Sequence, residues 1–415
     1  MLPPVLEIYA IWHPHDETGK TLAHEFVEHF RGASFSGVVG GGIHVSMRST
    51  GWQSSDSAPQ PLNTHSTPGP NRVQPAEYIA IIPILGLELA SAVQDMNNPW
   101  RAYVEQLVQQ QANAPDYVGI FPYLLDKNAI DQTELGNIFS AYQRIATGDP
   151  AQNGDTPNGL RCRDLSQGIA QLLSPDEMDR LTVFLSHTKR HSNEEGEDVD
   201  KLVALTREAI ANTRLAEFFD ARDLQPGCDW DAELRSNAGR SALLSIRTDL
   251  YASREWCQRE ISIAKKFGMP VVTLDAIGHG EERGSFLMDH VPRIPARKAG
   301  TDWRREDVLR GLNLLTDECL KRAIWLRQKE LAEKAGHEIS WWAPHAPEPL
   351  TLVNWLEGNA GDSPHDLTDG TITILHPDPP LGPEERDALA RLAKLSRYDA
   401  DIDIMTPRTL AARGG

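Results

Sequence analysis

The stretch EYIAIIPILGL, residues 77–87, is apolar at almost every position. A strand with one wet face alternates apolar and polar side chains, so a run this uniform has to be covered on both faces. Parallel sheets meet that demand, because each crossover lays a helix over a face of the sheet. The flanking segments fit. LEIYAIW (6–12) reads as a short strand, TLAHEFVEHFR as a helix, and FSGVVGGGIHVSM as a second strand region broken by glycines. PWRAYVEQLVQQQ is a helix with proline at its first position, and DYVGIFPYLLD is a further strand. The order β-α-β-β-α-β predicts a parallel sheet with covering helices. Residues 49–78, polar and rich in Pro, Ser and Asn up to the buried run, read as a long surface loop.

A second pattern of the same kind follows. LTVFLSH is a strand and DVDKLVALTREAIANT an amphipathic helix. LAEFFDARDLQPGCDW is a strand entering a Gly/Pro loop, WDAELRSNAGR a helix, and SALLSIRTD a fully buried strand. SREWCQREISIAKKFG is a helix with Ser253 as N-cap and Gly268 as its stop. MPVVTLDAI is a fourth strand, and a long helix runs from about Asp302 to Lys334, with Leu309, Leu312, Leu315, Cys319, Ala323 and Leu326 on one face. TITILHPDPPLGPEERDALARLAKL and DIDIMTP form one more strand–helix–strand unit. The 415 residues therefore divide into an α/β domain (1–150), a linker with a short helix from Asp164 to Leu173 (151–177), a second α/β domain (178–336) and a small C-terminal α/β region (337–415). The first two regions look like a distant internal repeat.

The formal charge of −18 argues against binding nucleic acid through the whole surface. Cys162, Cys228, Cys257 and Cys319 include no CxxC pair and no zinc spacing, so reduced thiols are expected. The N-terminus lacks a basic stretch followed by an apolar run, so no signal peptide is expected; a soluble, cytoplasmic protein is. TGKT (18–21) is only superficially a phosphate loop: Pro14 stands where its first glycine would fall, and Asp16 and Glu17 repel phosphate. In HEFVEH the histidines are five residues apart, so His24 and His29 leave one face; with His13 and His15 nearby the alternatives are a metal cluster or solvated surface histidines, and the expectation is the latter, with no metal site.

Three segments of the second pattern place polar groups at the carboxyl ends of parallel strands, where open α/β sheets bind ligands. In order, VFLSHTKR, FFDARDLQPGCDW and YASREWCQREI resemble the first box, the second strand with its BB loop, and the Tyr-x-x-Ser-x-Trp-Cys-x-x-Glu signature of NAD-cleaving TIR (Toll/interleukin-1 receptor) domains. The resemblance covers about residues 178–336 and implies a flavodoxin-like α/β fold of parallel sheets with helices on both faces.

It also implies an activity. Glu260 would be the catalytic acid of an NAD+ nucleosidase, hydrolase or cyclase, with NAD+ as substrate and no cofactor. Nicotinamide leaves as a neutral pyridine, so positive charge builds on the ribose and a carboxylate beside it stabilises the transition state. Trp256, one turn earlier, would pack on the sheet and position Glu260. The plain alternative is a solvated Glu260 paired with a cation such as Lys265. Phe184, Ser186 and His187 to Lys189 would line the pocket, Asp220 and Arg222 begin the BB loop, Trp230 stacks on the nucleotide or joins the core, and Tyr251 and Trp256 complete the set. Cys257 reads as a packed thiol. The first region would be a degenerate copy: in PWRAYVEQL, Glu105 follows Trp100 by five residues, about a hundred degrees around the helix from the active spacing. The whole reads as an enzyme activated by TIR self-association under an unknown trigger or partner, in bacterial antiphage defence. The competing reading is a non-enzymatic TIR adaptor.

Overall fold

The computed structural model describes residues 4–32, 34–35, 43–51, 57–64, 74–145, 156–174, 181–188, 196–213, 215–219, 241–281, 283–359, 371–395 and 401–413. The first sheet holds β1 (Leu6–Ile11), β2 (His44–Arg48), β3 (Tyr78–Leu85), β4 (Val118–Ile120) and β5 (Tyr123–Leu124). Its order is β2-β1-β3-β4, with β5 extending the pairing along β3, and every pairing is parallel. The single strand expected over DYVGIFPYLLD is broken between β4 and β5, where Pro122 has no N–H for the ladder. The accompanying helices are α1 (Glu17–Phe30), α2 (Leu87–Gln94), α3 (Pro99–Asn113) and the short α4 (Glu134–Ile138).

All eight residues of β3 are buried, as the uniform apolar run requires. Its two faces meet different cores. Ala80, Ile82 and Ile84, with Ile8 and Ala10 of β1, pack beneath α1. Ile79, Ile81 and Leu85, with Tyr9 and Ile11, face α2 and α3. The loop before β3 is not all surface: Leu62 is 1% exposed and joins the second of these cores, and Thr64 is buried too. TGKT forms the opening turns of α1 rather than a loop, and Asp16 caps that helix by accepting the Gly19 N–H at 2.8 Å.

Helix α5 (Pro157–Leu173) starts seven residues before the expected Asp164, with Pro157 at its first position and Thr156 as its cap. The second sheet holds β6 (Thr182–Ser186), β7 (Ala216–Phe219), β8 (Ser241–Arg247), β9 (Val271–Asp275) and β10 (Arg293–Pro295). The order β10-β9-β8-β6-β7, all parallel, is the flavodoxin-like arrangement. Helix α6 (Gly196–Ala211) lies on one face of this sheet and α7 (Glu255–Lys266) on the other. A two-stranded hairpin, β11 (Lys298–Ala299) with β12 (Asp302–Trp303), precedes α8 (Arg305–Lys334), which therefore starts three residues later than expected.

The two sheets share one core. Helices α5 and α8 lie between them and contribute Leu165, Ile169 and Leu173, and Leu309, Leu312, Leu315 and Leu320, to a cluster that contains residues of both sheets. Polar ties cross the same layer. Ser166 donates to Asp317 at 2.7 Å, Arg163 to Asn313 at 2.6 Å, and His29 of α1 sits 3.3 Å from Asp317. His29 is therefore an interior ion-pair partner, not a solvated surface histidine. Amphipathic periodicity on α1 does not reveal this, because the partner acid is almost three hundred residues away in sequence.

Close approach of α8 to the second sheet depends on Gly311, where a Cβ would lie 2.6 Å from Leu274 Cδ2. Gly311→Val is expected to destabilise the protein by about 1–3 kcal/mol through overpacking, despite better helix propensity. Chemical denaturation of both proteins measures this; equal midpoints would show that the layer yields.

The C-terminal region forms a third parallel sheet, β13 (Trp341–Trp342), β14 (Thr371–Leu375) and β15 (Asp401–Met405), with α9 (Pro349–Asn359), α10 (Pro383–Leu395) and α11 (Pro407–Ala412). It docks on the second unit through Trp325 and Trp342, 5.1 Å apart edge to face, and through a buried ion pair of Lys265 with Glu348. Lys265 also donates to the Asp289 carbonyl at 2.8 Å. Burial pushes the Lys265 ammonium down from its usual range, and Glu348 opposes that shift. Cys162, Cys257 and Cys319 are buried thiols not joined in disulfides; Cys228 lies outside the described residues. Among the described residues no helix is long and apolar enough to cross a membrane.

Candidate active site

In a sheet of this order the chain leaves β6 and β8 toward opposite faces, which opens a crevice between their carboxyl ends. Here β6 is followed by α6 on the shared-core face and β8 by α7 on the other. Residues at the ends of these strands therefore line the place where a ligand can enter. Ser186 is the last residue of β6 and Arg247 the last of β8. Just beyond them Thr188 and Thr248 face each other, with hydroxyl oxygens 3.3 Å apart.

Glu260 comes to this point from α7. The helix buries Cys257, Glu260, Ile261, Ala264 and Lys265, a stripe at spacings of three and four. Glu260 is only 6% exposed. Ser186 donates to Glu260 Oε2 at 2.5 Å, and the hydroxyls of Ser186 and Tyr251 are 2.6 Å apart. The single serine proton goes to the carboxylate, so the Tyr251 phenol donates to Ser186 Oγ. Burial raises the Tyr251 phenol well above its usual range, helped by Cys257 and Glu260 nearby, which keeps it a neutral donor. A hydrogen-bond chain thus runs from Tyr251 through Ser186 to the carboxylate.

The plain alternative for Glu260 does not hold. It is not a solvated acid, and Lys265 pairs with Glu348 instead. A carboxylate this deep is costly unless hydrogen-bonded, and the chain from Ser186 meets part of that cost.

The expected role of Trp256 is corrected. It does not pack on the sheet: it is 43% exposed, with the Arg259 guanidinium 5.7 Å from its ring centre. Trp256 lies about a hundred degrees around the helix from Cys257, off the buried stripe. The helix start is also corrected: α7 begins at Glu255 after Arg254, and Ser253 belongs to a preceding 3-10 turn, Tyr251–Ser253, where its hydroxyl donates to the Leu250 carbonyl at 2.8 Å. Gly268 does end the helix, with φ of +62°.

Of the other expected site residues, Phe184 is 2% exposed and packs with Tyr251, Cys257 and Ile261 under α7, so it supports the site from below. Tyr251, 1% exposed, stands behind Ser186. Lys189, Asp220, Arg222 and Trp230 lie outside the described residues.

Two features of the rim were not anticipated from sequence. Arg247 grips Glu281 through both carboxylate oxygens, at 2.8 and 2.5 Å. Asp249 accepts the backbone N–H groups of Gly278, His279 and Gly280 at 2.8, 2.9 and 3.3 Å. Burial works to raise the Asp249 carboxyl, but these donors hold it below the usual range. Both ties bind the end of β8 to the loop after β9. Their only sequence signal is an acid or base at a strand end, which is too common to single out.

In the first unit the counterpart helix α3 buries Trp100 completely, whereas Glu105 is exposed and pairs with Arg101 at 3.0 Å. A cavity of about 840 Å³ lies elsewhere, between the second unit and the C-terminal region, and its lining includes Lys265, His290, Trp341 and Trp355 but not Glu260. No protein-family model matches the chain, and no curated protein matches it.

Proposed function

We propose that the second α/β unit is a TIR-type NAD+ nucleosidase centre, acting as hydrolase or cyclase, with Glu260 as its catalytic residue. The observation that supports this reading is the position of Glu260: buried, in the switch-point crevice, and held by Ser186 from the strand that carries the first box. In the reaction the C1′–N bond to nicotinamide breaks and its electron pair leaves with the ring. Glu260 stabilises the positive charge left on the ribose, more strongly than it would in water because the carboxylate is buried. Water then adds at C1′ and releases a proton to solvent, giving ADP-ribose. Alternatively an adenine nitrogen adds, giving a cyclic product. Self-association through TIR surfaces, under a trigger or partner protein, switches the enzyme on in bacterial antiphage immunity.

Incubation of concentrated protein with NAD+, followed by chromatography, tests the reading. Nicotinamide appears together with ADP-ribose or a cyclic isomer. If no nicotinamide forms even in concentrated or crowded protein, the enzyme reading fails and a TIR adaptor acting by association replaces it.

Ser186 acts as a positioning residue in this scheme. Ser186→Ala removes a hydrogen bond to a charged group, worth about 1.5–3 kcal/mol, and kcat falls about tenfold to a hundredfold with KM within about twofold. Ser186→Thr, which keeps the hydroxyl, restores most of the rate. A change confined to KM would remove Ser186 from the chemistry.

A further inference from the structure

The first sheet has the same kind of switch point, and different chemistry stands on it. Its order, β2-β1-β3-β4, opens a crevice between the carboxyl ends of β1 and β3, since α1 covers one face and α2 with α3 the other. His13 and His15 follow β1, and Glu88 lies in the first turn of α2, directly after β3. Side-chain donor atoms of His13, His15 and Glu88 all lie within 4.8 Å of one another.

We propose that His13, His15 and Glu88 form a binding site for a divalent transition-metal ion of the zinc class. Two imidazoles and one carboxylate are the donor set that suits such ions, whereas Mg2+ and Ca2+ prefer oxygen ligands alone. An ion with bonds of about 2.0–2.2 Å holds its ligands about 3–4 Å apart, so side-chain adjustments of less than about 1 Å close the site.

The site is partly built. His13 is 7% exposed and its ring is fixed by Trp100 at 5.3 Å and by the edge of His15 at 5.1 Å. The two ligand-bearing segments are also held together. Gly86, the residue before α2, lies against the Asp16 side chain that caps α1: a Cβ there would lie 2.1 Å from Asp16 Oδ2, so a larger residue would displace that carboxylate. His15 and Glu88 are exposed, which provides an entry path and leaves the remaining coordination positions to water. In the second unit the corresponding crevice holds Ser186 and Glu260. The two crevices thus carry different groups: a serine and a carboxylate in one, two imidazoles and a carboxylate in the other.

Isothermal titration of the full chain, stripped with chelator and dialysed, tests the site with Zn2+ and with Mg2+ as the contrast. His15→Ala and Glu88→Gln change exposed side chains and leave the core intact, which circular dichroism verifies; His24→Ala, on the exposed side of α1, serves as the surface-histidine control. The expected result is one equivalent of Zn2+ bound by wild type and by His24→Ala. His15→Ala and Glu88→Gln each bind at least about tenfold more weakly, and Mg2+ shows no heat at the site. The proposal is overturned if wild type takes up no Zn2+, if His15→Ala and Glu88→Gln bind it as wild type does, if His24→Ala weakens it equally, or if Mg2+ binds as tightly.

Discussion

Glu260→Gln is expected to lower nicotinamide release from NAD+ by about two to three orders of magnitude, the usual loss when one preorganised, buried electrostatic group is removed. The substitution isolates charge from shape. Glutamine keeps the volume and an acceptor oxygen for the Ser186 hydroxyl, so the chain from Tyr251 through Ser186 persists and the fold is retained. Glu105→Gln is the matched control: Glu105 is exposed and paired with Arg101, and its loss leaves the rate unchanged. The measurement is nicotinamide release followed by chromatography at equal protein concentration. A Glu260→Gln rate within threefold of wild type would falsify the role assigned to this carboxylate.

The second large effect concerns stability. Asp317 lies in the layer between the two sheets, where it accepts from Ser166 and faces His29. Burial alone would lower the His29 imidazole, but the Asp317 carboxylate 3.3 Å away, with help from Cys162, overrides this and raises it to about 10. Asp317→Ala leaves a buried cation without its partner, and unfolding free energy near neutral pH is expected to fall by about 3–5 kcal/mol. The pH dependence has a definite sign. A folded-state value raised above the ordinary 6.5 means that the pair's contribution is complete below about pH 6.5 and is lost progressively as pH rises toward 10. Denaturation of both proteins at pH 6, 8 and 10 therefore shows a gap that narrows toward alkaline pH. A constant gap would assign the effect to packing alone. Because the sheets share this layer, the two units are expected to unfold in one transition.

Much of the architecture was legible because its signals are local. The uniform run in β3 and the similar run in β8 required sheets covered on both faces, and that is how they are buried. Glu260 reaches the carboxyl edge of the second sheet on the buried stripe it shares with Cys257 and Ala264, and not through its i, i+4 spacing from Trp256, which stays exposed. Where local rules competed with packing, the reading shifted. Trp256 is large and apolar but falls off the stripe, so burial went to Cys257 and Ile261. Leu62 and Thr64 sit in a polar stretch that composition marks as surface, yet the first unit's core accepts them.

The sequence by itself determined two parallel α/β units, their strand order along the chain, and the helix that carries Glu260. Those features depend on periods of two and of three to four residues, which any short window contains. Only the tertiary structure decided what each acid and base meets: Glu260 with Ser186 and Tyr251, Lys265 with Glu348, His29 with Asp317, and His13 with His15 and Glu88. Most of these pairings join segments far apart in the chain, and electrostatic partners are chosen by distance in space, which no local period encodes.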